Sequence, residues 1–176
     1  GRYPQSVNAR SIAVFGQLDF EVVPSLTFTA GGRMTWERKS GRFAGFKVDD
    51  GPGIPPPLGS AAGYDVTGKE DWKAFTPRVA LNWKTTDDIL LYASAARGYK
   101  SGGFQGLSGT AAGASAPYDP EFAWGYELGA KTEWFDRALR LNVSLFQTDY
   151  SDLQISQLVP LCCVVVSNAA KARIRG

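Results

Sequence analysis

Hydrophobic and polar residues alternate along most of the chain. From residue 11, Ile12, Val14, Gly16, Leu18, Phe20 and Val22 fall on one parity, and Ala13, Phe15, Gln17, Asp19 and Glu21 on the other. Beyond Val23-Pro24-Ser25 the division resumes, with Leu26, Phe28, Ala30, Met34 and Trp36 against Thr27, Thr29, Arg33, Thr35 and Glu37. It is clearest over 118–154, where Trp124, Tyr126, Leu128, Ala130, Thr132 and Trp134 oppose Gly125, Glu127, Gly129, Lys131 and Glu133. After Phe135-Asp136-Arg137, Leu139, Leu141, Val143 and Leu145 oppose Arg140, Asn142, Ser144 and Thr148. Successive side chains of a strand point to opposite faces, so each run predicts a two-faced β-strand and 118–154 a long hairpin. Further strands are predicted over 72–83, 89–100 and 164–176. The faces of 89–100 are poorly divided, and its parity stays open.

The lengths of the runs narrow the class. Trp124 and Trp134 lie on one face, roughly 34 Å apart along a strand at about 3.4 Å per residue. Tilted by about 40°, that separation becomes close to 25 Å of height, the thickness of an outer-membrane apolar band. Strands of soluble sandwiches usually run about 5–6 residues, whereas a tilted membrane strand needs about 9–11. Short turns fall near Pro24, Thr86 and Asp136, and long connections are predicted over 39–70, 100–122 and 151–162. Their strict alternation puts short turns at one end of an up-and-down sheet and long loops at the other. The prediction is an all-β fold: an antiparallel up-and-down meander of about seven long strands, an incomplete piece of a large transmembrane β-barrel spanning 1–176. Pro77 reads as a bulge or a strand end.

Composition excludes more than it selects. A formal charge of +2 and no run of Lys or Arg argue against nucleic acid. No window approaches the ~18 unbroken apolar residues of a helical span, so a membrane role has to come through a barrel. The chain has no histidine, which removes the commonest general base and metal ligand. No Gly-x-Ser-x-Gly elbow occurs, and no catalytic residue, metal or cofactor is assigned. Asp49-Asp50 lies in a Gly/Pro-rich stretch whose spacing matches no calcium loop. Cys162-Cys163 carries two readings, ordinary residues beside Val164-Val165-Val166 or a loop disulfide in an oxidising compartment. Gly1 in place of Met, an opening without signal features and an ARIRG terminus inside an alternating run read as an internal piece of a longer protein.

Three stretches then resemble a known family: YASAARGYKSGGF (92–104), YDPEFAWGYELGAKTEWFDRALRLNVSLFQTDYSDLQ (118–154) and SNAAKARIRG (167–176). In that order and spacing they are similar to the β-barrel portion of TonB-dependent outer-membrane receptors, here without the family's N-terminal plug. The resemblance implies a multi-pass barrel of about 22 strands with a plugged lumen in a Gram-negative outer membrane. Its implied partners are outer-membrane lipid, the TonB complex acting through the plug, and a scarce small-molecule ligand such as a ferric siderophore, cobalamin or a glycan.

Arg33, Arg78, Glu127, Lys131 and Arg140, with Glu37 and Glu133, fall on the polar parity. They either face the plug and ligand path or line a wet lumen that tolerates charge. Glu127, with Lys131, is the first candidate for plug contact because it matches the family's Tyr-Glu-Leu-Gly pattern. Arg97, Tyr99, Lys100 and Phe104, where a strand meets a long loop, are rim candidates for gripping an anionic ligand, or else headgroup anchors. Two alternatives remain: a soluble β-sheet module binding carbohydrate or another ligand, and a barrel enzyme whose catalytic groups come from elsewhere. The module predicts strands near six residues with loops of mixed length at both ends.

Overall fold

A computed structural model describes residues 4–45, 63–108, 110–159 and 163–176. In chain order the elements are β1 (Gln5–Val23), β2 (Leu26–Gly45), β3 (Tyr64–Thr86), β4 (Ile89–Lys100), β5 (Gly103–Phe104), α1 (Ala111–Ser115), β6 (Pro117–Tyr118), β7 (Glu121–Trp134), β8 (Leu139–Val159) and β9 (Cys163–Arg175). All strands except β5 and β6 form one 7-stranded sheet in sequence order, and every neighbouring pair is antiparallel. The all-β meander is as the alternation predicts. Its strands run from 12 to 23 residues, too long for the soluble module.

Register converts the alternation into two faces. One cross-strand row reads Leu18, Ala30, Val79, Ala95 and Tyr126, and the row beside it reads Gln17, Gly31, Arg78, Ala96 and Gly125. Directly opposed residues share a face and adjacent rows alternate, so the first row belongs to an apolar face and the second to a polar one. The apolar face is laid bare. Leu18 is 79% exposed, Leu145 66% and Leu128 61%, an arrangement water would penalise and hydrocarbon would not. Register also settles β4: Leu91, Ala93 and Ala95 join the apolar face and Tyr92, Ser94 and Ala96 the polar one. The sheet is not closed: among the described residues the outer edges of β1 and β9, and the side of β8 facing away from β7 over 139–145, pair with no further strand.

The predicted long connections need correction. Residues 39–45 and 64–70 are strand, and so are 151–159. β8 continues past Ser151, around a bulge at Asp152 where φ is 55°, and pairs with β9 up to Val159–Cys163. Alternation fades in these stretches, while the backbone ladder persists because it needs no apolar side chain. Residues 46–62, including Asp49 and Asp50, lie outside the described residues, as do Cys162 and the Cys163 side chain.

Pro77 lies inside β3, opposite Gly32 of β2. The ladder from β3 to β4 ends at Arg78–Ala96, beside the residue that has no N–H to donate. Above that point the strands part, and Arg97 Nη1 donates to the Phe75 carbonyl at 3.4 Å across the gap.

Above Trp36, the β2–β3 hairpin is held by cross-strand ion pairs. Arg38 donates from Nε and Nη2 to Asp71 at 2.6 and 2.9 Å, and Arg42 Nε donates to Asp65 at 2.7 Å. These bonds hold both carboxyls below the ordinary aspartate value. A depressed folded pKa means stability that is complete above the unfolded value and lost as pH falls through the folded one. Both pairs are solvent-exposed and therefore screened by salt. Carboxyl-carbon NMR titration should show both protonating below free aspartate and drifting back towards it in high salt; titration at or above the free value would contradict the pairing.

Candidate functional site

The connection between β4 and β7 folds back over the polar face instead of standing away from it. Its β5–β6 hairpin and the single-turn helix α1, capped by Thr110 Oγ1 accepting from Gly113 N at 3.1 Å, lie against β2 and β3. Phe104 meets Phe43 with ring centroids 5.4 Å apart and Trp72 at 6.2 Å. Phe43 is 1% exposed, Ala74 3% and Trp72 7%, in a sheet with few other buried residues. These three share the polar parity of β2 and β3, so the small apolar core of this chain sits where the sequence predicts a wet surface.

Polar contacts lock the loop on both sides. Lys39 Nζ donates to the Gly102 carbonyl at 2.7 Å, pairs with Glu37 at 3.1 Å and stands 5.5 Å from the Trp72 ring centre. The ammonium is thus neutralised, hydrogen-bonded and set over an aromatic face at once. On the far side, Gln105 bonds the backbone of Val166 through both ends of its amide. Asn168 accepts from Asp119 N at 2.8 Å and donates to the carbonyls of Asp119 and Asp152. Glu121, 8% exposed, accepts from Gln154 N at 2.9 Å and lies 3.7 Å from Lys100 Nζ. Gly102 permits the close approach, since a Cβ there would collide with the Tyr118 carbonyl and stand 2.6 Å from the Trp72 ring.

A second cluster lies lower on the polar face. The Tyr92 hydroxyl donates to Glu127 Oε1, and Lys131 Nζ lies 5.6 Å from the Tyr92 ring centre. Glu127 and Lys131 are therefore joined through Tyr92, one strand away. The ring lies across Gly129, where a Cβ would collide with it. Gly129→Ala should displace Tyr92 and break its bond to Glu127 without unfolding the sheet, because Ala is otherwise at ease in a strand. With fluorotyrosine placed at 92, the fluorine resonance should move in the variant; an unchanged resonance would show that the ring does not depend on the glycine.

The predicted site residues divide by face. Arg33, Arg78, Glu127, Lys131 and Arg140 share the polar face, as their parity requires. Arg33 Nε donates to Thr35 at 3.2 Å, and Arg140 Nε to Glu133 at 2.9 Å. Arg97, Tyr99 and Phe104 do not form one group. Arg97 and Tyr99 pair in register with Trp124 and Phe122 on the opposite face; the Arg97 guanidinium sits 3.9 Å from the Phe122 ring centre and the Tyr99 ring 5.6 Å from it. Phe104 belongs to the folded-in loop. Sequence reasoning missed Lys39, Trp72, Glu121, Gln154 and Asn168. Asn168 left a signal as part of the SNAAKARI stretch, and Glu121 and Gln154 as parts of the 118–154 stretch.

Three kinds of comparison place the chain among known proteins, the solved structures by fold alone. The family model described as TonB dependent receptor-like, beta-barrel, matches residues 1–176. The pesticin receptor of Yersinia pestis is 25% identical over 168 residues, 96% of this chain and 23% of its own length. The metal-pseudopaline receptor CntO of Pseudomonas aeruginosa is 29% identical over 82 residues, 47% of this chain and 11% of its length. Among solved structures, the ferric yersiniabactin uptake receptor FyuA of Yersinia pestis superposes with a TM-score of 0.77 at 23% identity, over 97% of this chain and 23% of that one. The ferric-catecholate import receptor Fiu of E. coli gives 0.69 at 19%, over 98% and 25%. The chain spans a quarter or less of these relatives and, matched along its whole length by the family model, it belongs to the TonB-dependent receptor β-barrel family.

Proposed function

We propose that this chain forms wall and outer loop of a Gram-negative outer-membrane receptor that imports a scarce ligand, with metal–siderophore complexes as the class. The observation that carries the reading is the loop 101–120 seated on the polar face at the long-connection end, where it restricts passage along the inside of a closed barrel. The names of the relatives support the ligand class, since they include receptors for ferric yersiniabactin, ferric catecholates and a metal–pseudopaline complex. In this reading the apolar face meets outer-membrane lipid. Glu127 and Lys131, held in place by Tyr92, present charge to a plug through which the TonB complex acts. Glu127→Lys in the full-length receptor reduces uptake more than the same reversal at exposed Asp87.

The test is transport. A siderophore-receptor-deficient strain carrying the full-length receptor is supplied with radiolabelled iron as phenolate-thiazoline, catecholate or hydroxamate complexes. Uptake of at least one, abolished when TonB is absent, is expected. Failure of all three, with cobalamin or an oligosaccharide taken up instead, would replace the ligand class and leave the receptor reading standing.

A further inference from the structure

Above Pro77 the wall has a notch. β4 ends at Lys100 and β7 begins at Glu121, whereas β3 and β8, which flank that pair in the sheet, run on to Tyr64 and Val159. With two strands missing, the flanking edges stand roughly 14 Å apart, at about 4.8 Å per strand. The loop 101–120 does not fill the notch as a strand. It backs it from the inner face, where a Cβ at Gly68 would stand 2.7 Å from the Phe104 ring and 3.2 Å from the Ser115 carbonyl.

The β3 side of the notch is an open edge. Lys84 N donates to the Ser25 carbonyl at the foot of β2, and backbone groups along a strand address its two neighbours in alternation. Even-numbered residues of β3 therefore face β2, and odd-numbered ones face β4 or, above Arg78, the notch. Phe75 agrees, since its carbonyl accepts from Arg97. Beyond it, the N–H and C=O groups of Asp65, Thr67, Lys69, Asp71 and Lys73 have no backbone partner among the described residues. Asp71 N reaches only the side chain of its neighbour Glu70, at 3.4 Å. Such a row is a template for another strand. It lies above the apolar belt, since Lys73 sits opposite Trp36 and the outward residues beyond it are polar and exposed. The β8 side is already occupied by side chains: Gln154 N donates to Glu121 at 2.9 Å, and Gln154 Nε2 donates to the carbonyls of Ser101 and Asp119 at 3.0 and 3.1 Å.

Charge selects the occupant. Lys69 and Lys73 have no carboxylate within salt-bridge distance among the described residues. Asp71 between them is bonded by Arg38, and Asp65 by Arg42. Lysine on an edge discourages indiscriminate pairing. A second copy of β3 could offer these lysines, on its outward face, only the same two carboxylates, already taken. A strand bringing free carboxylates is held by backbone and side chains together.

We infer that the β3 edge over 65–73 is a docking site for an extended acidic segment of a partner polypeptide, added as an antiparallel strand with carboxylates four residues apart, opposite Lys73 and Lys69. The outward residue between them meets Asp71 and is uncharged. The inward residue opposite Trp72 is small, because Phe104 and Gly102 already cover that ring. This surface is additional to import and does not depend on the imported ligand. One opposite-charge cross-strand pair is worth up to about fivefold in binding, and two together about tenfold.

The experiment titrates the full-length receptor, in neutral detergent, against dye-labelled peptides and reads fluorescence anisotropy. The first probe is a short threonine–valine peptide bearing two glutamates four residues apart. The second carries lysines in their place, and the third is the acidic peptide N-methylated at alternate amides along one edge. The acidic peptide should bind about tenfold more tightly than the basic one, and N-methylation should abolish its binding by removing the donors that face β3. The double variant Lys69→Glu, Lys73→Glu should reverse the preference and favour the basic peptide, with thermal unfolding unchanged, because both side chains are exposed and the ladder to β2 is untouched. No binding of the acidic peptide, equal binding of acidic and basic peptides, undiminished binding after N-methylation, or an unchanged preference in the double variant would each overturn the site.

Discussion

Trp72→Ala in the full-length receptor frees the loop 101–120 while leaving the barrel wall folded. Trp72 is 7% exposed, and its ring is shared by Phe104, by the Lys39 ammonium and by the backbone at Gly102. Truncating a buried tryptophan costs about 3–5 kcal/mol. Most of that loss falls on the loop, because β3 keeps its ladders to β2 and, below Arg78, to β4. At the low end the local opening equilibrium shifts by on the order of a hundredfold, read as loss of amide protection over 101–120 and faster cleavage there by protease. Trp83→Ala, on the opposite face and 49% exposed, should leave the loop unchanged. Equal protection in Trp72→Ala and wild type would mean that the loop is held by its polar contacts to β8 and β9 alone.

A charge placed on the apolar face should abolish folding into bilayers where the same charge on the other face does not. Leu128 lies between Ala93 of β4 and Leu145 of β8 and is 61% exposed. An arginine on the lipid face near mid-depth costs about 2–4 kcal/mol, a large part of the net stability of an ordinary domain. Gly125 is the control, on the same strand and on the polar face, where a side chain has room: a Cβ there would meet nothing closer than the Ala96 carbonyl at 4.0 Å. Leu128→Arg should refold poorly into lipid vesicles and Gly125→Arg should refold as wild type, scored by heat-modifiable gel mobility. Equal yields would mean that the exposed apolar face is not the one in contact with lipid.

Much of this was legible in the residues. Parity placed Arg33, Arg78, Glu127, Lys131 and Arg140 on one face, because a pleated strand leaves no third choice once its apolar partners are known. It failed at β4, where Ala and Ser divide the two faces too weakly, and it stopped short at the strand ends. At 151–159 the bulge at Asp152 breaks the parity, so the ladder continued past the point where alternation could mark it. Arg97, Tyr99 and Phe104 were close in sequence and looked like one rim cluster. The turn into β5 carries Phe104 to the polar face while Arg97 and Tyr99 keep the register of Trp124 and Phe122.

What the chain determines on its own is therefore the wall: the number and direction of the long strands, and which side of them is apolar. Each follows from local periodicity and turn position, which every residue reports without reference to distant ones. The docked loop, the Lys39–Trp72–Phe104 contact and the Tyr92 bridge from Glu127 to Lys131 were decided only by tertiary structure. They join residues tens of positions apart through cross-strand register and through the return of 101–120 over β2 and β3. No window of sequence contains both partners of any of these contacts.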